Sequence, residues 1–206
     1  MRTISKTALV TVGLVSLVGT ASAGDPKAGK PAPKDAPAAI KPKEPPPPPP
    51  VPEPTPELKA QGKKMKGTWK CVAEMYLPDG TTYQNKFTIK IALDLDNMWL
   101  KTTMTEAKKK GVKKPFKFTA HQTYDAATKT WHQLMVSNMG TWAKSTSAGP
   151  DASGKVTWEG TSSMGGQDFK SRDFEEWTDK KSWHMWGEWS PDGASWVKSY
   201  DAACKR

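Results

Sequence analysis

The side chains in this 206-residue chain that could do chemistry are three histidines, two cysteines, ten tryptophans and a lysine-rich run. His121 and His132 flank a turn signal, Asp125 to Thr128. If those four residues form the hairpin loop, Tyr124 faces Lys129 and His121 stands opposite His132, a pair that could share a divalent metal. A zinc site takes three or four protein ligands, and no third is in reach. The same register pairs Phe118 with Met135 and Gln122 with Trp131 as the inward set, which leaves the histidines facing solvent. His184 lies in the tryptophan-rich stretch "WHMWGEW", where ordinary packing competes with haem ligation; packing is the simpler reading, and no cofactor is expected. Among the acids, Asp173, Glu175 and Glu176 lie close together, but Glu175 and Glu176 are neighbours on a strand and point to opposite faces, so they cannot act as one dyad. No nucleophile elbow, phosphate-cradling glycine loop or His-Glu-x-x-His motif occurs, and a non-catalytic protein is expected.

The tryptophans fit three roles: filling a barrel, lining a pocket for an apolar or ring-shaped ligand, or forming a platform for sugars. In Trp183 to Trp189, Trp186 is out of phase with Trp183 and Trp189. One face of that strand must therefore expose an indole or bury it against a neighbour, and Trp186 is the candidate surface aromatic. Lys108, Lys109, Lys110, Lys113 and Lys114 crowd a single hairpin tip. They are either a solvated loop or, together with Lys59 to Lys66, a contact for an anionic envelope polymer or glycan that salt would screen.

The elements that must position these residues are strands. From Gly67 onward, alternating runs separated by turn signals recur, as in an antiparallel meander. "TTYQNKFTIKIALD" places Tyr83, Phe87 and Ile89 on one face and lysines on the other. Nine or ten strands are expected, spanning roughly 67–77, 81–93, 98–106, 115–124, 130–138, 141–147, 155–163, 168–177, 182–190 and 194–201. A meander of that length removes its open edges by closing on itself. Closure sets the first strand beside the last, so Cys71 and Cys204 become neighbours and a disulfide across the seam is expected; the alternative is two unpaired thiols. Inward parity makes Tyr83, Phe87, Ile89, Phe118, Met135 and Trp158 the candidate ligand wall.

Ahead of the strands, Arg2 and Lys6, the apolar run Thr7 to Gly19 and Ala21-Ser22-Ala23 read as a signal peptide ending at residue 23. Residues 24–66, with six consecutive prolines from Pro45 to Pro50, read as a disordered to polyproline spacer. Export implies an oxidising compartment, the periplasm, the envelope or the exterior, and favours the disulfide. The apolar run is too short to span a membrane. The net charge of +10 is spread along the chain. The folded part is only mildly basic, which argues against nucleic acid as a partner.

Gly67-Thr68-Trp69 at the head of the first strand resembles the Gly-x-Trp signature of lipocalin-type, or calycin, barrels. "YDAATKTWHQLMVSNMG" and "FKSRDF" are similar to segments of the bacterial secreted family known as domain of unknown function 1579. The resemblance covers Lys66 to Tyr200. It implies that Trp69 plugs the closed end of the barrel and that a basic residue near the last strand packs on it; Arg172, Lys198 and Arg206 are all candidates. It brings no known reaction.

The expectation is thus an all-β chain: a single up-and-down, calycin-like barrel over residues 67–206 that holds a small hydrophobic or aromatic ligand. The alternative is a surface module using exposed Trp and Lys residues.

Overall fold

The computed structural model describes residues 50–206, and the expected signal peptide and most of the expected proline-rich spacer lie outside that range. One helix, α1 (Pro56–Met65), is followed by ten strands: β1 (Gly67–Tyr76), β2 (Thr82–Asp94), β3 (Trp99–Glu106), β4 (Lys117–Asp125), β5 (Thr130–Ser137), β6 (Trp142–Ser147), β7 (Val156–Met164), β8 (Gln167–Asp179), β9 (Ser182–Ser190) and β10 (Val197–Lys205). Each strand pairs antiparallel with its predecessor, and β10 returns to pair with β1, giving a closed up-and-down barrel. The expected all-β fold is therefore the observed one.

Closure runs through a six-residue register in which Cys71 faces Cys204, and the two form a disulfide. Both cysteines are buried and point into the barrel. The bond joins residues 133 positions apart. It holds together the one strand pair that no hairpin connects.

Alternation sorts the side chains as a half-wet sheet requires. In β1, Trp69, Cys71 and Ala73 are buried while Thr68, Lys70, Val72 and Glu74 are exposed. In β2, Asn85, Phe87, Ile89 and Ile91 form the buried set. The apolar core gathers on β1 to β3, the ends of β9 and β10, and the helix.

The helix is a departure from the sequence reading, which placed residues 56–65 in the spacer. Its segment is lysine-rich and shows only two large apolar residues, Leu58 and Met65, so composition hides it. The start signals are nevertheless present. Thr55 accepts a hydrogen bond from the Leu58 N–H, proline occupies the first turn, and Glu57 complements the helix dipole. Leu58 and Met65, each 1 % exposed, press onto the barrel end, so the helix is the barrel's lid.

The β4–β5 register also departs from expectation. Asp125 pairs with Thr130, so the loop is Ala126 to Lys129; His121 faces Leu134, and His132 faces Thr123. The Asp125 carboxylate accepts from the Ala127 N–H and the Thr128 hydroxyl, and Lys129 adopts a left-handed φ of 54°. Together these move the turn one residue along the chain. Phe118 then faces Ser137 rather than Met135, and Gln122 faces Gln133 rather than Trp131. Because the shift preserves parity, the inward and outward sets are unchanged.

The seam disulfide has a measurable consequence. Chain-entropy reasoning for a loop of this length gives about 5 kcal/mol of stabilisation, less any native strain. Cys71→Ser/Cys204→Ser should therefore show a large drop in urea midpoint, and the parent should gain two mass units on reduction. A variant that unfolds at the parent's midpoint would show that the strand pairing closes the seam unaided.

Candidate functional site

The two ends of the barrel differ. At the end covered by α1, Trp69 is fully buried and donates its indole N–H to the Met65 carbonyl at 2.9 Å. Trp177 and Trp183, stacked on each other with ring centroids 5.5 Å apart, meet Trp69 edge-on at 5.3 and 5.9 Å. Arg206 lies over the Trp69 ring at 4.7 Å and donates to the carbonyls of Lys66 and Lys180. Of the three basic residues considered from sequence, Arg206 is thus the one on Trp69. Arg172 instead pairs with Glu188 and covers Trp196, and Lys198 pairs with Asp201, all on the outer face.

Gly67 fits this arrangement. Its φ of 137° is strained for other residues, and an added Cβ would lie 3.1 Å from the Arg206 Cδ. The glycine of the Gly-x-Trp therefore clears the path by which Arg206 reaches Trp69. Beside this floor, a cleft of about 630 Å³ is lined by Lys63, Lys64, Trp177, Lys180 and Arg206, among others.

The opposite end is the one that α1 does not cover. Tyr83 stands there, 41 % exposed, with Lys109 over its ring at 4.9 Å. Lys109 also pairs with Glu106 at 2.8 Å, so it is drawn toward that end, whereas Lys108, Lys110, Lys113 and Lys114 remain on the rim. Phe87 and Ile89 are buried, and Phe118 packs against the same cluster. Met135 is inward, across β5. Trp158 is buried on the far wall.

That far wall carries what sequence reasoning missed. Asp173 and Glu175 are two residues apart on β8 and therefore share its inner face. The adjacent Glu175-Glu176 pair obscures the alternate pair, although strand periodicity alone is enough to find it. Asp173 accepts from the Tyr200 hydroxyl at 2.8 Å, and Glu175 accepts from the Trp158 indole at 2.9 Å. Among the described residues, neither carboxyl has a basic side chain within salt-bridge distance. Burial pushes the Asp173 carboxyl up to about 6 and Glu175 up to about 7, the latter helped by the nearby Asp173 charge. Burial and the same carboxylate also drive the Tyr200 hydroxyl well above its ordinary value.

Gly187, between them on β9, makes the Asp173–Tyr200 contact possible. A Cβ there would collide with the Tyr200 ring and sit 2.8 Å from the Asp173 Oδ1. Further polar groups continue around the inner wall: Gln122 donates to Gln133, Gln133 to Ser145, and Ser162 to Ser171.

The remaining sequence candidates lie outside the lumen. His121 sits 3.7 Å from Asp94 and edge-on to Trp99, and it is not opposite His132. His184 bonds Asp201 at 2.8 Å on the outer surface and stacks on Trp186, so it does not address the interior. Trp186 is half-buried between His184 and Phe174 rather than freely exposed. The exposed indole is Trp142, 43 % accessible, at the edge of a cleft of about 400 Å³ with Lys144 and Glu159.

No protein-family model matches the chain, and no curated protein matches it. Among solved structures, Rv2717c from M. tuberculosis is similar, with a TM-score of 0.60 and 11 % identity over 75 % of this chain and 99 % of that one. At that identity the likeness is one of fold.

The buried acids set a pH dependence. Folding raises both carboxyls above their ordinary values, so between about pH 4 and 7 the native state holds protons that the unfolded chain releases. The stability associated with them is complete at low pH and is lost as pH rises through about 7. Asp173→Asn/Glu175→Gln keeps an acceptor for Tyr200 and Trp158 while removing the charges. It should melt above the parent at pH 8, with the gap closing toward pH 4. A gap independent of pH would contradict the buried, cation-free placement of the pair. Gly187→Ala, which pushes Tyr200 off Asp173, should lower the melting temperature at both pH values.

Proposed function

We propose that this chain is an exported, non-catalytic binding protein of calycin-like type that holds a small hydrophobic or aromatic ligand in its barrel. The observation that carries this reading is the character of the inner wall. Eight strands already give an interior that side chains just fill, and this barrel has ten. Three consecutive strands nevertheless turn small groups inward: Ala143, Ser145 and Ser147 on β6, Ser162 on β7, and Ser171 on β8. Small side chains on an oversized ring favour a space over a packed core. In keeping with that, Phe118, Gln133, Asp173 and Tyr200 point inward yet retain accessible surface. Phe87, Ile89, Phe118 and Met135 would supply the apolar wall, Tyr83 the mouth, and Trp69 with its neighbours the floor.

Calycin-like membership is supported by the Gly67, Trp69 and Arg206 arrangement. Export is supported by the signal-peptide pattern together with the disulfide. No helix among the described residues is long and apolar enough to cross a membrane.

A second reading rests on Trp142, whose exposed ring beside Val136 and Met139 would suit a glycan or envelope polymer. One pair of titrations separates the two. N-phenyl-1-naphthylamine, a neutral apolar fluorophore, should bind with one-to-one stoichiometry and quench tryptophan emission by energy transfer. Trp142→Ala should leave that affinity unchanged. If the fluorophore does not bind, and an anionic polysaccharide binds the parent but not Trp142→Ala, the surface reading replaces the lumen one.

A further inference from the structure

The inner wall is two-sided. β1 to β4 contribute chiefly apolar groups, among them Phe87, Ile89, Met104 and Phe118, while β8 and β10 contribute Asp173, Glu175 and Tyr200. Each carboxyl commits one oxygen to a protein donor, and its other oxygen has no hydrogen-bond partner among the described residues. Glu175 is only 8 % exposed and Asp173 partly buried, yet neither remaining oxygen is among the fully enclosed unpartnered atoms, so each keeps some accessible surface for a donor to reach. Two further acceptors face the interior without partners: Oδ1 of Asn85 and Oε1 of Gln122, on residues 7 % and 4 % exposed. A buried acceptor without a donor costs about 1–3 kcal/mol, and more when charged. Of the enclosed side-chain atoms without a partner among the described residues, the two on the inner wall above the tryptophan floor are thus acceptors. The orphan donors nearby, the indole N–H groups of Trp177 and Trp183, belong to the floor cluster.

We propose that the ligand of this barrel is an amphipathic amine, whose protonated nitrogen is held by Asp173 and Glu175 while its apolar body lies against Phe87, Ile89 and Phe118. This deepens the binding reading above and rests on it. A cation with several N–H groups supplies what the wall lacks: charge for two desolvated carboxylates and donors for their free oxygens. An anionic ligand would add a third negative centre, and a purely apolar one would leave every acceptor unmatched.

The groups facing the pair come from every neighbouring element. They are Trp158 from β7, Met185 and Gly187 from β9, Tyr200 from β10, and Lys64 of α1, whose charge reaches Glu175 but whose ammonium sits over Trp177 at 4.4 Å. The rim lysines repel a cation only through solvent, where salt screens them within about 8–10 Å. They slow entry more than they weaken a contact made inside.

The test uses the mature full-length protein and three probes of one shape: 2-naphthylmethylamine, 2-naphthylmethanol and 2-naphthoate. Affinity is read from tryptophan quenching. At pH 8 the amine should bind roughly ten- to a hundredfold tighter than the alcohol, the range expected for charge-assisted hydrogen bonds, and the naphthoate should bind weakest. At pH 5, where the carboxyls take up protons, the preference should shrink toward unity. In Asp173→Asn/Glu175→Gln the amine should fall to the alcohol's affinity while the alcohol is unchanged. If the three probes bind alike, or the naphthoate binds best, the amine assignment is overturned and the binding barrel stands. If none binds, both fall. The three probes are compared on the parent protein, so the amine assignment stands or falls even if the variant does not fold.

Discussion

The structure depends on the pairing of β1 with β10. An antiparallel meander has two free edges whose N–H and C=O groups must find partners, and this chain satisfies them by joining its first strand to its last over six residues, with a disulfide within the match. Closure creates an inside. Once the ring is shut, parity alone decides which side chains leave water, and each inward polar group must be matched from within the barrel.

The matching is uneven. On the β1 to β3 side, burial is apolar and supported by the helix and the tryptophan floor. That floor is a single device built from distant parts of the sequence: Gly67 leaves room, Trp69 fills the end, Met65 accepts its N–H, and Arg206 covers the ring. On the β6 to β8 side, small and polar inward residues stand among Val156, Trp158 and Phe169, and two carboxyls, Glu175 buried and Asp173 partly so, lack a cation. Proteins seldom bury unpaired acids, because desolvation opposes the charged form. Asp173 and Glu175 bear that cost on the inner wall, and the ligand chemistry proposed for the barrel follows from it.

The fold was far more legible in the sequence than the site, for physical reasons. Strand number, inward parity and the cysteine pairing follow from a period of two, which residues such as Phe87, Ile89 and Cys71 state openly. The β4–β5 register did not, because it turns on whether Asp125 stays in its strand and Lys129 accepts a positive φ. The helix was hidden by its lysines, even though Thr55, Pro56 and Glu57 announce its start. The tryptophan-rich strand drew attention to Trp186, yet that ring is enclosed by Phe174 and His184, and strand pairing rather than composition leaves Trp142 exposed. The carboxyl pair was within reach of the same periodicity that found the wall. What sequence could not give was its partners, since Tyr200 comes from a strand two places away and arrives only because position 187 is a glycine.

A barrel that binds as proposed holds a small molecule in its interior, and native mass spectrometry of the protein recovered from its own source, set against the same sample denatured, reads this out. The native protein should carry a discrete added mass that disappears on denaturation and fragments as a small nitrogenous compound. A native mass equal to that of the bare, disulfide-bonded chain would contradict this and indicate a filled barrel that meets its partners on the outside.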